Sequence, residues 1–339
     1  MGEVTVGNKL KRFFKRCKVY SKGKVFFPFI LNDYFRITRK KDMSEKQINC
    51  TYSILTQYLC SLTLGKLRKK YKKHIVKLVS DINSSYDNLP HEHSNKIWAC
   101  WLQGFSSAPD LVKICYQSLL DNFSDTHEII EITETNFTDY VQIPDYIIQK
   151  FKKGFITRTH LSDLIRLELL IKYGGTWIDS TVLFTGKKLP DYMFDSELFM
   201  FQSIGPQLFG RATSSESWFI TSIQNHKILL LTRELLYLYW KEYNVLIDYW
   251  LIYDFVELAI EQFEDEWRKV IPFGQTDIHI LQERMLWPFD KNVFDSMVNR
   301  VGMQKLNWKL DENQLKIEGT YYHYLITHFK MYNPSIIQK

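Results

Sequence analysis

Asp163, Arg166 and Asp179 are the residues whose types and spacing are best suited to chemistry in this chain. They fall within residues 162–182, S-D-L-I-R-L-E-L-L-I-K-Y-G-G-T-W-I-D-S-T-V. Asp163 and Arg166 lie three apart at the start of an apolar-periodic run, so they share one helical face. Gly174-Gly175 stops that helix. Thr176-Trp177-Ile178 then reads as a short strand delivering Asp179-Ser180-Thr181 at its end. Open α/β sheets bind ligands at the carboxyl ends of their strands, which is where Asp179 stands. A departing diphosphate needs its charge neutralised, and Mg2+ or Mn2+ held by one or two carboxylates supplies that. Arg166 can donate to phosphate or hydroxyls, and Asp163 can accept from a pair of hydroxyls. The pattern suits a metal-bound diphosphate joined to a polyol. Plainer roles stand beside this one: a turn aspartate at 179, a helix-capping Asp163 paired with Arg166, and a glycine C-cap. Trp101, followed by Gln103-Gly104, offers an aromatic face for a base or is simply core.

The surrounding elements must hold these groups. Residues 96–101 read as an apolar strand and residues 109–122 as a helix with proline in its first turn. Strands over 128–132, 175–183 and 198–202 alternate with helices over 140–153 and 160–173. That alternation implies an α/β domain with a mostly parallel sheet. Beyond residue 217 the chain turns helical and aromatic, over 228–243 and 248–263.

The chain has 339 residues, enough for one large or two modest domains. Its net charge of +6 is unevenly spread. Residues 1–77 hold 20 Lys and Arg against 4 Asp and Glu, and the rest hold 24 against 34. The basic third should meet something anionic: phospholipid headgroups, a lipid diphosphate or nucleic acid. Residues 9–24 interleave cations with Phe13, Phe14, Val19 and Tyr20, and residues 66–77 carry seven cations in twelve positions. Such a segment is either a solvated helical face or a membrane-surface attachment. Residues 81–94 read as a linker, giving a division into residues 1–90 and a domain over 95–330. Five scattered cysteines with no metal spacing fit reduced thiols in the cytosol. No apolar run reaches the roughly 18 residues that span a bilayer, and none reads as a signal peptide.

The order W-x-Q-G, then S-D-x-x-R-x-x-x-L-x-x-x-G-G-x-W-x-D-x-T, resembles bacterial capsular polysaccharide synthesis proteins. These are similar to the glycosyltransferases with a DXD sugar-binding region, which include mannosyltransferases and the large clostridial glucosylating toxins. The resemblance covers residues 96–190 well, residues 217–329 loosely, and the first 90 not at all. It implies a GT-A fold, a Rossmann-like mixed sheet flanked by helices, here with an added basic helical N-terminal region. It also implies a UDP-sugar donor, Mn2+ or Mg2+, and retention of anomeric configuration. Trp101 would stack on the uracil, with Gln103 and Gly104 beside it. Asp163 and Arg166 would hold hydroxyls of the donor sugar or ribose. Trp177, next to Gly175, would flank the nucleotide, and Asp179-Ser180-Thr181 would stand as the DXD.

Thr181 departs from the full DXD, leaving one carboxylate fewer for a metal. Glu318, His323 and His328 are candidates to complete it. Residues 217–220 and 225–226 fall where the resemblance places an acceptor-side loop and the next helix, which makes Trp218 an acceptor candidate. Asp248 and Trp250, with Tyr249 and Tyr253, are further candidates for an acceptor pocket, or belong to a core helix. The expectation is a glycosyltransferase on the cytoplasmic face of the cell membrane, peripherally bound to an anionic surface. It would extend a polyprenyl-diphosphate-linked saccharide for capsule or exopolysaccharide. Nucleic acid is not expected as a partner. A nucleic-acid-binding protein using the basic arm, or a catalytically silent scaffold motivated by Thr181, are the competing readings.

Overall fold

The computed structural model describes residues 45–203 and 213–334, with side chains from residue 54 onward. Its main sheet holds five strands: β1 (Lys96–Cys100), β2 (Glu128–Ile132), β3 (Gly175–Ile178), β5 (Leu198–Gln202) and β6 (Ser215–Ser222). Their order is β2-β1-β3-β6-β5. Two further strands, β4 (Val182–Phe184) and β7 (Met303–Lys305), pair antiparallel beside it. β1 is parallel to β2 and β3, whereas β6 runs against both β3 and β5. The sheet is therefore mixed, and less parallel than the strand–helix alternation alone implies. Residues 217–220, expected as a loop, lie inside β6. All eight of its positions are buried, so the strand shows no polar–apolar alternation that would mark it in sequence.

The helices used below are α1 (Glu45–Ser85), α2 (Asp110–Phe123), α3 (Asp145–Lys152), α4 (Arg158–Tyr173), α5 (Lys227–Glu242), α6 (Leu251–Ile260), α7 (Thr276–Arg284), α8 (Lys291–Arg300) and α9 (Tyr321–His328). Strand side chains alternate between the two faces of the sheet. Trp98, Trp177, Met200 and Ile220 join one core with α1 and α4 to α6, while Ile97, Ile178, Phe199 and Phe219 join a second with α2. A third cluster gathers α7, α8 and α9 against α2.

α1 is amphipathic. Cys60, Leu64, Leu67, Tyr71, Ile75 and Ile82 are buried at helical spacing. Tyr71 meets Phe255 of α6 edge to face at 5.7 Å. Arg68 pairs with Glu261 and Lys70 with Glu242. The division expected near residue 90 thus does not separate two cores, because Leu64 to Ile82 belong to the sheet's own core. The other face of α1 exposes Lys69, Lys72, Lys73 and Lys77. The basic stretch 9–24 lies outside the described residues.

Two glycines set the approach to the site. Gly174, at φ 66°, caps α4 by donating to Leu170 O. A Cβ on Gly175, at φ 90°, would sit 2.4 Å from Lys96 O. Only glycine lets β3 enter the sheet this close to β1. Gly175, expected beside the donor, therefore shapes the sheet and is not among the residues lining the cavity described below.

His226, also placed by sequence on the acceptor side, is buried and caps α5 by accepting from Ile228 N at 3.3 Å. Burial pulls its imidazole down to about 4, against an opposing pull from Glu266. Below pH 6.5 the unfolded imidazole binds a proton that the buried one refuses until about pH 4. Stability supplied by the neutral ring is complete above pH 6.5 and falls by up to about 1.4 kcal/mol per pH unit below it. His226→Asn keeps a capping acceptor and should show a shallower loss of melting temperature between pH 6.5 and 4. Equal slopes in the two proteins would remove His226 from this account.

Candidate active site

A cavity of about 590 Å³ opens where β1 and β3 end and β6 begins. That volume suits a bound small molecule. Trp101 and Gln103 line it after β1, Asp179, Ser180 and Thr181 after β3, and Ser217 and Trp218 from β6. The first turns of α4 contribute Ser162, Asp163 and Arg166. α4 is aimed by Thr157, whose side chain accepts from His160 N. The strand-end and helix-start groups singled out by sequence thus converge.

Arg166 is the hub. It is buried, and its Nη1 donates to Ser217 O. Its Nη2 lies 3.0 Å from Asp179 Oδ1 and 3.4 Å from Asp163 Oδ1. The guanidinium lies over the Trp177 ring at 4.7 Å, and Trp177 Nε1 donates to the same Asp179 oxygen at 3.0 Å. Trp177 therefore stands behind the carboxylate and steadies it. Burial pushes the Asp163 carboxyl above its ordinary range, and Arg166 and His160 pull it back. His160 Nδ1 lies 3.4 Å from Asp163 Oδ2, and burial holds that imidazole below its usual range.

Lys305 completes the constellation from β7. Its Nζ lies 3.7 Å from Asp179 Oδ2 and donates to Thr181 Oγ1 at 2.5 Å. Burial pulls its ammonium down, and Asp179 pulls it back up. The register Val182↔Lys305 brings it there. Four cations line the cavity (Arg158, Arg166, Lys305, Lys309) against three carboxylates (Asp163, Asp179, Glu216). That balance favours an anionic ligand. Trp101 and Trp308, both in the lining, meet edge to face at 5.6 Å and form an aromatic wall.

Residues 51–325 match the family described as "Capsular polysaccharide synthesis protein". The chain belongs to that family. Among curated proteins none matches. A solved structure titled "PaToxG Glycosyltransferase" is similar at 15% identity and a TM-score of 0.34, over 62% of this chain and 83% of that one.

Not every residue of this family member that sequence nominated reaches the cavity. Asp248 does not line it. Its Oδ1 accepts from Trp250 N at 2.9 Å and its Oδ2 faces Cys60 of α1, so it fixes the turn before α6. Trp250 and Tyr249 do line the cavity. Trp218 lines it as a buried strand residue stacked on Phe201 at 4.4 Å. Its indole N–H is buried and has no hydrogen-bond partner. Gly104, at φ 82°, closes the turn after β1 by donating to Trp101 O and lies outside the lining. Cys100 lines the cavity, but burial pushes its thiol up to about 12, which removes it as a nucleophile.

A divalent cation is the poorest fit. Glu318, His323 and His328 lie outside the cavity lining. His323 Nδ1 accepts from Gly319 N, and His328 Nδ1 sits 3.1 Å from Tyr324 O. Asp179 Oδ1 already accepts from Arg166 and Trp177, and the Thr181 hydroxyl accepts from Lys305. Glu216 Oε1 accepts from Gln275 and Ser203, and Asn307 Oδ1 accepts from Lys309 N. Among the described residues, no group of three or more His, Cys, Asp or Glu side chains could hold a metal. Hard cations need several free oxygens, and here the candidate oxygens face cations or amides instead.

Proposed function

We propose that this chain is a glycosyltransferase of GT-A type. It takes a hexose from a UDP-sugar and gives it, with retention, to a polyprenyl-diphosphate-linked saccharide of a capsule or exopolysaccharide repeat. One observation carries the reading. Arg166, Asp179 and Lys305 meet at the strand ends of a cavity with an aromatic wall, in a member of a capsular synthesis family. Cations serve a diphosphate, and the wall formed by Trp101 and Trp308 serves a base or sugar ring. Asp163, turned toward Arg166, orients that guanidinium.

Retention fits transfer on the face the nucleotide leaves. The acceptor hydroxyl then gives its proton to the departing diphosphate oxygen, and no separate protein base is required. Location at an anionic membrane is part of the proposal. It is supported by the cations exposed on α1 and by the charge of residues 1–77. No described helix is long and apolar enough to cross a membrane.

The test is thermal protection by a panel of nucleotide sugars. A UDP-sugar at a hundred times its Kd should stabilise the protein by about 2.7 kcal/mol. Guanosine and thymidine sugars should give less. A panel in which no nucleotide sugar moves the melting temperature removes the glycosyltransferase reading.

A further inference from the structure

We propose that Lys305 is the built-in cation that neutralises the donor's diphosphate, so that transfer by this chain requires no divalent metal. This inference rests on the glycosyltransferase reading and deepens it.

A D-x-T sequence alone suggests a weakened metal site. Lys305 gives that sequence another meaning. Its ammonium stands where two oxygens of the motif converge, bonded to Thr181 Oγ1 at 2.5 Å and 3.7 Å from Asp179 Oδ2. An aspartate at position 181 would bring a second carboxylate onto that ammonium; a threonine accepts one hydrogen bond and adds no negative charge to that of Asp179. Asp179 itself is shared between Lys305 and Arg166, and Arg166 also faces Asp163 at 3.4 Å. Over the whole lining four cations stand against three carboxylates, so the cavity's excess is positive.

The placement is built rather than incidental. Lys305 is the last residue of β7, held by the β4–β7 ladder, and its side chain is only 15% exposed. Leu306 N donates to Thr181 O at 2.8 Å, tying the two segments just beyond the lysine. A long, flexible side chain so confined loses the freedom it would otherwise need to surrender on binding an anion.

The step balances without a metal. The bond from the sugar's anomeric carbon to the β-phosphate oxygen breaks, and its electron pair leaves on that oxygen. The acceptor's hydroxyl oxygen forms the new bond to the anomeric carbon, and its proton goes to the departing diphosphate. Lys305 and Arg166 donate hydrogen bonds to the diphosphate as its charge grows. Neither gains nor loses a proton overall.

The experiment is calorimetric titration of the full chain with UDP, in EDTA and in Mn2+, followed by transfer assays in both. The wild type should bind UDP in EDTA, with Mn2+ changing the Kd by less than about threefold, a difference of under about 1 kcal/mol. Lys305→Met should weaken UDP binding about tenfold or more in both conditions, the scale of one charged hydrogen bond. Lys305→Arg, which keeps the charge, should recover most of the binding. It also guards against loss of folding in the methionine variant, which circular dichroism checks directly. UDP binding that needs Mn2+, or a methionine variant binding as tightly as wild type, overturns the role of Lys305 while leaving glycosyl transfer standing. Absence of UDP binding in both buffers, with no protection by any nucleotide sugar, removes the glycosyltransferase reading and this inference with it.

Discussion

Asp179→Asn should lower sugar transfer and donor hydrolysis by about 10²–10³-fold, the usual loss when a preorganised electrostatic group is removed from a reacting centre. The fold should survive. Asparagine keeps an oxygen for Arg166 and Trp177, and Arg166 retains Asp163 and Ser217 O. Asp179 is also partly exposed, so its pairings add less to stability than buried ones would. What disappears is the negative charge that holds two cations side by side. Arg166 and Lys305 then repel with nothing between them, and their alignment toward a diphosphate degrades. The loss should therefore be coupled to Lys305. The double variant Asp179→Asn with Lys305→Met should fall little below the worse single variant, because groups acting as one unit are not additive. Losses that multiply in the double variant would show that the two residues act separately, and full activity in Asp179→Asn would sink the site.

Deleting residues 1–85 should abolish cooperative folding altogether. It removes Leu64, Leu67, Tyr71, Ile75 and Ile82 from the main core. Truncating one such side chain typically costs about 2–5 kcal/mol, against about 5–15 kcal/mol for a whole domain. The basic character of this region can be tested without disturbing that core. Charge reversal at exposed Lys69, Lys72, Lys73 and Lys77 leaves the buried face of α1 intact. Exposed substitutions of this kind usually change stability by about 0.5 kcal/mol or less. Each cation near an anionic surface contributes about 1 kcal/mol, so the reversed protein should sediment with phosphatidylserine vesicles at least about 100-fold less. An unchanged melting curve with unchanged sedimentation would exclude this face of α1 from membrane docking. A truncated protein that still melts cooperatively would contradict the packing of α1.

The segment from Asp163 to Thr181 was legible in sequence because local rules govern it. Helical spacing puts Asp163 beside Arg166, the glycine pair stops α4, and a short strand delivers Asp179. β6 was not legible, since burial on both faces erases the alternation that marks a strand, and residues 217–220 read as a loop. The place of α1 was obscured for a different reason. Its seven cations dominate the composition of residues 66–77, although the apolar side chains between them fill the core. Lys305 carries no local signal at all. It lies 124 residues from Thr181 and meets it only through the β4–β7 ladder. Glu318 and His323, sought near the chain's end for their carboxylate and imidazole, lie outside the cavity lining, and the side chain found beside Asp179 is the Lys305 ammonium.

That ladder also fixes when the site comes into being. During synthesis Asp179 and Thr181 leave the ribosome well before β7, and contacts this distant in sequence form late. The nascent sheet can settle around β1 and β3 while half the binding charge is still missing. The cavity acquires both cations only once residues 303–305 have paired with β4. A chain stopped before that point carries the D-x-T motif but an unfinished pocket, so both cations stand at the cavity only in molecules whose synthesis has passed residue 305.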